Sequence, residues 1–250
     1  MNNNLVQYIF SIADNSLILG QRLGELCGHG PSLETDIAMT NISLDLFGQV
    51  RSYYQYAAKL LGDDATEDTI AFLRKEREYK NALLVEQPNR DFAFSIARQF
   101  LFDVYHLLLL EELQNSSDAT LSAIAKKSIK EVSYHTRFSS DWIRRLGDGT
   151  EESHNRIQTA INDLWVFTEE LFLQTEAEIA MVSEGIGVDV SQLKDSFHKK
   201  VSDILEESTL QTPTIEYFQK GGKNGIHSEH MGYILTDLQY MQRTYPNMSW

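Results

Sequence analysis

The stretch from Leu121 to Leu146, LSAIAKKSIKEVSYHTRFSSDWIRRL, constrains the fold more than any other. Read in steps of four and three, it sets Leu121, Ala125, Ser128, Val132, His135, Ser139, Trp142 and Leu146 on one line, the spacing of a bundle helix that buries one seam. Such a seam needs other helices to cover it. The chain can supply them, because only four prolines, Pro31, Pro88, Pro213 and Pro246, occur in 250 residues and each falls between amphipathic runs. The expectation is an all-α protein with one large helical domain over residues 1–250, since no linker divides it and the length allows a substantial core.

The other runs are read in the same way. A first helix is expected from Leu5 to Leu26, stopped by Gly28-His29-Gly30-Pro31, and a second from the Ser32-Leu33-Glu34 turn to Leu61, broken at Gly62-Asp63-Asp64. The second has Ile42, Leu46, Gln49, Tyr53, Tyr56 and Leu60 on its seam. Thr66 to Leu84 reads as a third helix with Arg74, Glu76, Arg77, Glu78 and Lys80 on an outer face that is solvated or turned to another subunit. Phe92 to Leu113 is apolar around its whole circumference and is expected at the centre. Beyond the Gly147-Asp148-Gly149 turn, one long helix is expected from Glu151 to Glu184, with Ile179 and Val182 inward and its glutamates outward. A shorter one covers Val190 to Leu205. After the irregular segment 209–225, a last helix carries Met231, Ile234, Leu235, Leu238 and Met241 on its apolar side.

A formal charge of −14 argues against nucleic acid and anionic membranes as partners, because both require a basic face. Cys27 is the only cysteine, which excludes a disulfide framework and a thiolate cluster and fits a reducing compartment; it reads as a small buried side chain. MNNNLVQYIF does not read as a secretory signal and no apolar run is expected to reach membrane-spanning length, so a cytoplasmic location is expected.

Metal chemistry is the first functional class to weigh. In four-helix di-iron carboxylate proteins a Glu-x-x-His pair on a seam lets two side chains reach one metal. Here Val132 stands three before His135, Glu131 lies one step off the seam, and the second helix has Leu46 and Gln49 at the corresponding spacing. Leucine cannot bind a cation, and a neutral amide is a weak ligand for iron. Asp103 and His106, three apart on the central helix, are the best metal-like pair left. Two ligands are too few, and the preferred reading is a polar network in which Asp103 pairs with a basic group or with His135.

Two further segments carry candidate chemistry. In KGGKNG, Lys220 and Lys223 and a glycine-rich backbone lead toward a helix amino terminus, where free N–H groups favour an anion, although a capping loop explains the same pattern. The sequence is not a P-loop, since the spacing differs and no strand precedes it. His227-Ser228-Glu229-His230 has metal-like residue types with few partners in reach, so capping or a contact between subunits is expected there.

QRLGELCGHGPSLETDIAMTNISLDLFGQVRSYYQYA, LLVEQPNRDFAFSIARQFLFD, KEVSYHTRFSSDWIRRLGDG, INDLWVFTEELF and GGKNGIHSEHMGYILTDLQYMQR together resemble the C subunits of bacterial phenylacetyl-CoA epoxidases, the ring-1,2-monooxygenases of phenylacetate degradation. The resemblance spans nearly the whole chain. It implies a ferritin-like four-helix bundle core with additional helices and a cytoplasmic complex with a homologous catalytic A subunit that holds the di-iron centre. It also implies a structural, metal-free role for a chain of this kind, with no catalytic or metal-binding residue carried over. On that reading phenylacetyl-CoA lies at the subunit interface, with Lys220 and Lys223 as candidate contacts for its coenzyme A portion. The competing reading is a divergent metal-dependent oxygenase using Asp103, His106 and His135.

Overall fold

The structure is a computed structural model that describes residues 3–62, 64–246 and 248; Met1, Asn2 and Asp63, which enter the readings above, lie outside them. Four long helices form its frame: α1 (Asn3–Gly24), α2 (Leu33–Leu61), α5 (Phe92–Leu113) and α6 (Ala119–Gly147). Each of the last three starts on a side-chain cap, Ser32, Asp91 and Asp118 respectively, whose oxygen accepts an otherwise unpaired N–H of the first turn. Short connections make α1–α2 and α5–α6 two antiparallel pairs, and α2 lies against α6 to join them. Smaller helices pack around this frame: α3 (Glu67–Phe72), α4 (Leu83–Glu86), α7 (Glu151–Trp165), α8 (Glu176–Ser183), α9 (Lys194–Glu207) and α10 (Glu229–Thr244). Among the described residues there is no strand.

The apolar periodicity is realised in depth on the central helices. From Leu5 to Leu23 every residue of α1 is buried except Gln7 and Gln21, which are half-buried. α5 is buried throughout except at Phe92, Leu107, Glu111 and Glu112. By length and composition α5 could cross a membrane, which corrects the expectation that no run does, but 94% of its most apolar window is buried inside the protein.

Two expected helices are broken, each by a buried ionic or polar contact that no local pattern reveals. Between α3 and α4, Arg74 leaves the helix and turns inward. Its guanidinium grips Asp14 of α1 at 2.6 and 3.0 Å and lies between the rings of Phe10 and Tyr79, 4.3 and 4.1 Å from their centroids. Arg74 is therefore not on a solvated face. Asp14 is satisfied completely, since Tyr54 Oη and the Lys80 N–H also donate to it, and that is the condition for keeping such a charge in a core.

The second break divides the expected 151–184 helix at 166–175, where Glu170 is drawn inward. The following α8 is rotated from expectation, with Glu178 buried and Ile179 54% exposed. On α10 Met241 is 40% exposed, so the last helix turns partly away from its expected apolar side. Cys27 is exposed rather than buried, because it falls in the turn after α1 and not on the seam.

A polar layer and an anion cradle as the candidate functional site

The register of the four long helices follows from a few hydrogen bonds. Ser43 Oγ donates to the Gly20 carbonyl at 2.7 Å between α1 and α2. His135 Nε2 lies 3.0 Å from Asp45 Oδ2, and Gln49 Nε2 donates to Glu131 Oε2 at 3.0 Å, between α2 and α6. Ser139 Oγ stands 2.8 Å from Asp103 Oδ2 between α5 and α6. This register sets Ser16, Gln49, Tyr53, Gln99, Asp103, His106, His135 and Ser139 near the middle of the frame, all of them buried.

Asp103 does not pair with a basic group or with His135, the partners expected from sequence. Its carboxyl takes the Gln99 amide at 2.6 Å and faces Ser139, and His135 turns to Asp45 instead. Burial pushes the Asp103 carboxyl up to about 8, against the opposing effect of Ser139 and Gln99. Ser139 Oγ donates to Asp103 Oδ2 and also lies 3.0 Å from the His135 carbonyl, so the carboxyl is held from both sides by neutral groups. Burial and then the neighbouring His135 push His106 down to about 3, so it is a neutral imidazole. Burial also lowers His135, although Asp45 opposes the shift. Among the described residues, both ring nitrogens of His106, His135 Nδ1, Gln49 Oε1, Gln99 Oε1 and Tyr53 Oη have no hydrogen-bond partner.

A di-iron centre does not fit this layer. At the two helix positions where Glu-x-x-His pairs would stand, Leu46 and Val132 are fully buried hydrocarbon, and Gln49 gives its amide to Glu131. Asp103 is the one carboxyl of this layer, held by Gln99 and Ser139, and a di-iron centre needs several carboxylates. Among the described residues no three His, Cys, Asp or Glu side chains are grouped to hold a metal ion.

The KGGKNG segment does build an anion cradle, and the protein fills it itself. Glu170 Oε1 accepts the Gly221 N–H at 2.6 Å and the Lys223 N–H at 3.4 Å, and Oε2 accepts the Leu83 N–H at 2.8 Å. Glycine is required because Gly225 has φ +78° and a Cβ on Gly222 would collide with the Asn81 carbonyl. Lys223 is buried, its ammonium 2.7 Å from Glu178 and 2.6 Å from the Leu173 carbonyl. Lys220 is exposed, with its ammonium 5.8 Å from the Phe218 ring centroid. The two lysines thus have different surroundings, and only Lys220 faces solvent.

His227 and Ser228 turn inward. Both hold Glu86, a fully buried carboxylate on α4: His227 Nδ1 is 2.5 Å from Oε1, while the Ser228 N–H and Oγ donate to Oε2 at 2.8 and 2.6 Å. His227 Nε2 faces the Tyr79 carbonyl at 3.1 Å. Burial pulls this imidazole down, but the hydrogen bond and charge of Glu86 outweigh it and hold the group above the usual histidine range. With an acceptor at each nitrogen, the site favours the protonated imidazole over the neutral one. His29, expected in a loop, is exposed with Nδ1 3.2 Å from the Cys27 carbonyl.

Sequence reasoning missed Asp14, Glu86, Glu170 and Glu178 as the acids around which the later segments close. A signal existed for two of them. Asp14 interrupts the apolar seam of α1, and Glu86 follows three apolar residues in LLVE, and a buried acid requires a partner.

The geometry describes a helical protein whose mid-level layer is polar yet unsuited to iron. Phenylacetic acid catabolic protein is the family whose pattern matches residues 1–250, and the chain belongs to it. It is 48% identical over 248 residues to the C subunit of the 1,2-phenylacetyl-CoA epoxidase of Escherichia coli (strain K12), an alignment that covers 99% of this chain and 100% of that protein.

Proposed function

We propose that the chain is a non-catalytic structural subunit of a phenylacetyl-CoA 1,2-epoxidase complex, which pairs with and stabilises a homologous di-iron catalytic A subunit in aerobic phenylacetate degradation. One observation carries the non-catalytic part: buried Leu46 and Val132 stand where carboxylate ligands would be needed. The relationship to an epoxidase C subunit supports the assembly. In this reading the frame of α1, α2, α5 and α6 is a ferritin-like bundle that has lost its metal. It forms one domain, a reading supported by an apolar core that runs without interruption from Leu5 to Leu235. The protein acts in the cytoplasm. Phenylacetyl-CoA lies at the subunit interface, and Lys220 is the remaining candidate for a contact to its coenzyme A portion.

The competing oxygenase reading draws on the unpartnered nitrogens of His106 and His135. Anaerobic titration of the purified chain with ferrous iron, followed by desalting and metal analysis, separates the two. The structural reading expects less than stoichiometric iron, and retention of two irons per chain would overturn it. Co-purification with the A subunit tests the pairing itself.

A further inference from the structure

The polar layer carries more hydrogen-bonding groups than the protein itself satisfies. Among the described residues ten buried side-chain polar atoms have no partner, and seven of them belong to six residues of this layer: Ser16, Gln49, Tyr53, Gln99, His106 and His135. None of the six is more than 3% exposed, and together they come from all four long helices. The helix register gathers them. Gln99 and His106 are seven apart on α5 and share one face, while Gln49 and Tyr53 follow Asp45 along α2 in steps of four. His135 on α6 meets Asp45 at 3.0 Å, and Ser139, one turn further, meets Asp103 at 2.8 Å. His106 and His135 lie close enough for a charge on one to oppose proton binding by the other.

The chemistry of these atoms selects what would serve them. Each glutamine gives its amide nitrogen to a carboxyl, Gln49 to Glu131 and Gln99 to Asp103, which leaves its oxygen as an acceptor. His135 gives its Nε2 proton to Asp45 and, as a neutral ring, presents a lone pair at Nδ1. Neutral His106 offers one N–H and one lone pair, and the hydroxyls of Tyr53 and Ser16 donate. Four of the seven atoms thus accept and three donate. A metal ion would use the lone pairs and leave the donors unmet, and an anion would do the reverse. Left dry, seven such atoms carry a cost comparable with the whole margin by which a domain is stable.

We propose that this layer is an internal hydration site, in which buried waters, one of them between His106 and His135, link the four long helices. The ligand is a small neutral molecule that both donates and accepts, which is what the mixed set of groups requires. A buried water makes about three hydrogen bonds, so about two or three molecules serve the seven atoms. Asp45, whose side chain is 38% exposed, puts the outer end of the layer one side chain away from solvent. Hydration also gives the layer a structural use, because a water held by groups from several helices fixes their register as a direct hydrogen bond does. The inference stands apart from the subunit role and holds for the chain alone.

The test uses the full chain. Magnetic relaxation dispersion of the solvent counts long-lived internal waters in the wild type, His106→Leu and Tyr53→Phe, with circular dichroism as the check on folding and metal analysis of the same samples. The wild type is expected to hold at least one more such water than His106→Leu. Tyr53→Phe, which removes a hydroxyl and keeps the ring, is expected to melt about 2–4 °C lower, as loss of one buried hydrogen bond does in a chain of this size. It carries the test if His106→Leu does not fold. Equal water counts in the wild type and His106→Leu would overturn the inference. A higher melting temperature for Tyr53→Phe would overturn it too, since deleting an unpaired hydroxyl from a dry layer is stabilising. A stoichiometric metal in the wild type that chelation removes together with the long-lived waters would give the layer to the competing oxygenase reading and end the proposal.

Discussion

The carboxylate of Glu170 sits inside the glycine turn, 2.6 Å from the backbone N–H of Gly221, and so occupies the place that the glycine-rich sequence offers to an external anion. Lys223 lies behind it with a carboxylate of its own, Glu178.

The two lysines of this turn are therefore expected to separate by experiment. Lys223→Ala leaves Glu178 buried without its partner and should destabilise the chain by about 3–5 kcal/mol. Lys220→Ala should change stability by less than about 0.5 kcal/mol and raise the KM of the assembled complex for phenylacetyl-CoA at unchanged kcat, as loss of a remote binding contact does. Melting curves and steady-state kinetics read both. An unchanged KM removes Lys220 from the binding surface.

Asp103 gives a pH signature. Its carboxyl is raised to about 8, so the native state holds a proton that the unfolded chain has released. Stability from this group is accordingly full below the ordinary aspartate range and falls as pH rises toward 8, by up to about 1.4 kcal/mol per unit. Asp103→Asn keeps the shape, with its amide able to donate to Ser139 and its oxygen able to accept from Gln99. It should raise stability at pH 7.5 and flatten the profile between pH 4 and 8 in urea titrations. An equally steep profile in the variant would contradict a protonated Asp103.

His227 acts over a different window. Its raised affinity for a proton stabilises the fold fully below the ordinary histidine value, and this contribution is lost as pH climbs through the higher native value. His227→Gln should lower the melting temperature at pH 6 and have a smaller effect at pH 9. A deficit that grows with pH would mean that Glu86 is not held by an imidazolium.

Val132→Glu places a carboxylate at a fully buried position of the apolar core. The variant should lose about 3 kcal/mol or more at pH 8 and less at pH 5, where the acid accepts a proton instead. Calorimetry at the two pH values is the measurement. A wild-type melting temperature at both would show that position 132 is not in the core.

The long helices were legible because each carries its own periodicity. For α5 both ends, Phe92 and Leu113, follow from the apolar run alone, and for α6 the seam from Leu121 through Ser139 is buried as read. The breaks near Arg74 and Glu170 were not legible. Their causes lie 60 residues away at Asp14 and 51 away at Gly221, and no window along the chain contains both partners. The candidate layer was half visible. Sequence spacing placed Gln49, Asp103, His106 and His135 inward, but which acid each would meet depended on the register between helices, which pairs His135 with Asp45. Cys27 was misplaced for a simpler reason, since α1 ends at Gly24 and the seam does not continue through it.

The enclosure of α1 bears on how the protein is made. Its sides are sheltered by α2, which follows at once, and by α8 and α10, of which α10 begins about 200 residues later. At synthesis rates of roughly 5–20 residues per second, the helix waits on the order of 10–40 s for its last cover. During that interval a sticky, mostly apolar rod whose one acid is Asp14, in its middle, is in the open, and it has not yet met Arg74 for part of the time. Until those covers arrive, α1 is one of the apolar surfaces on a newborn chain that are open to aggregation and chaperone capture.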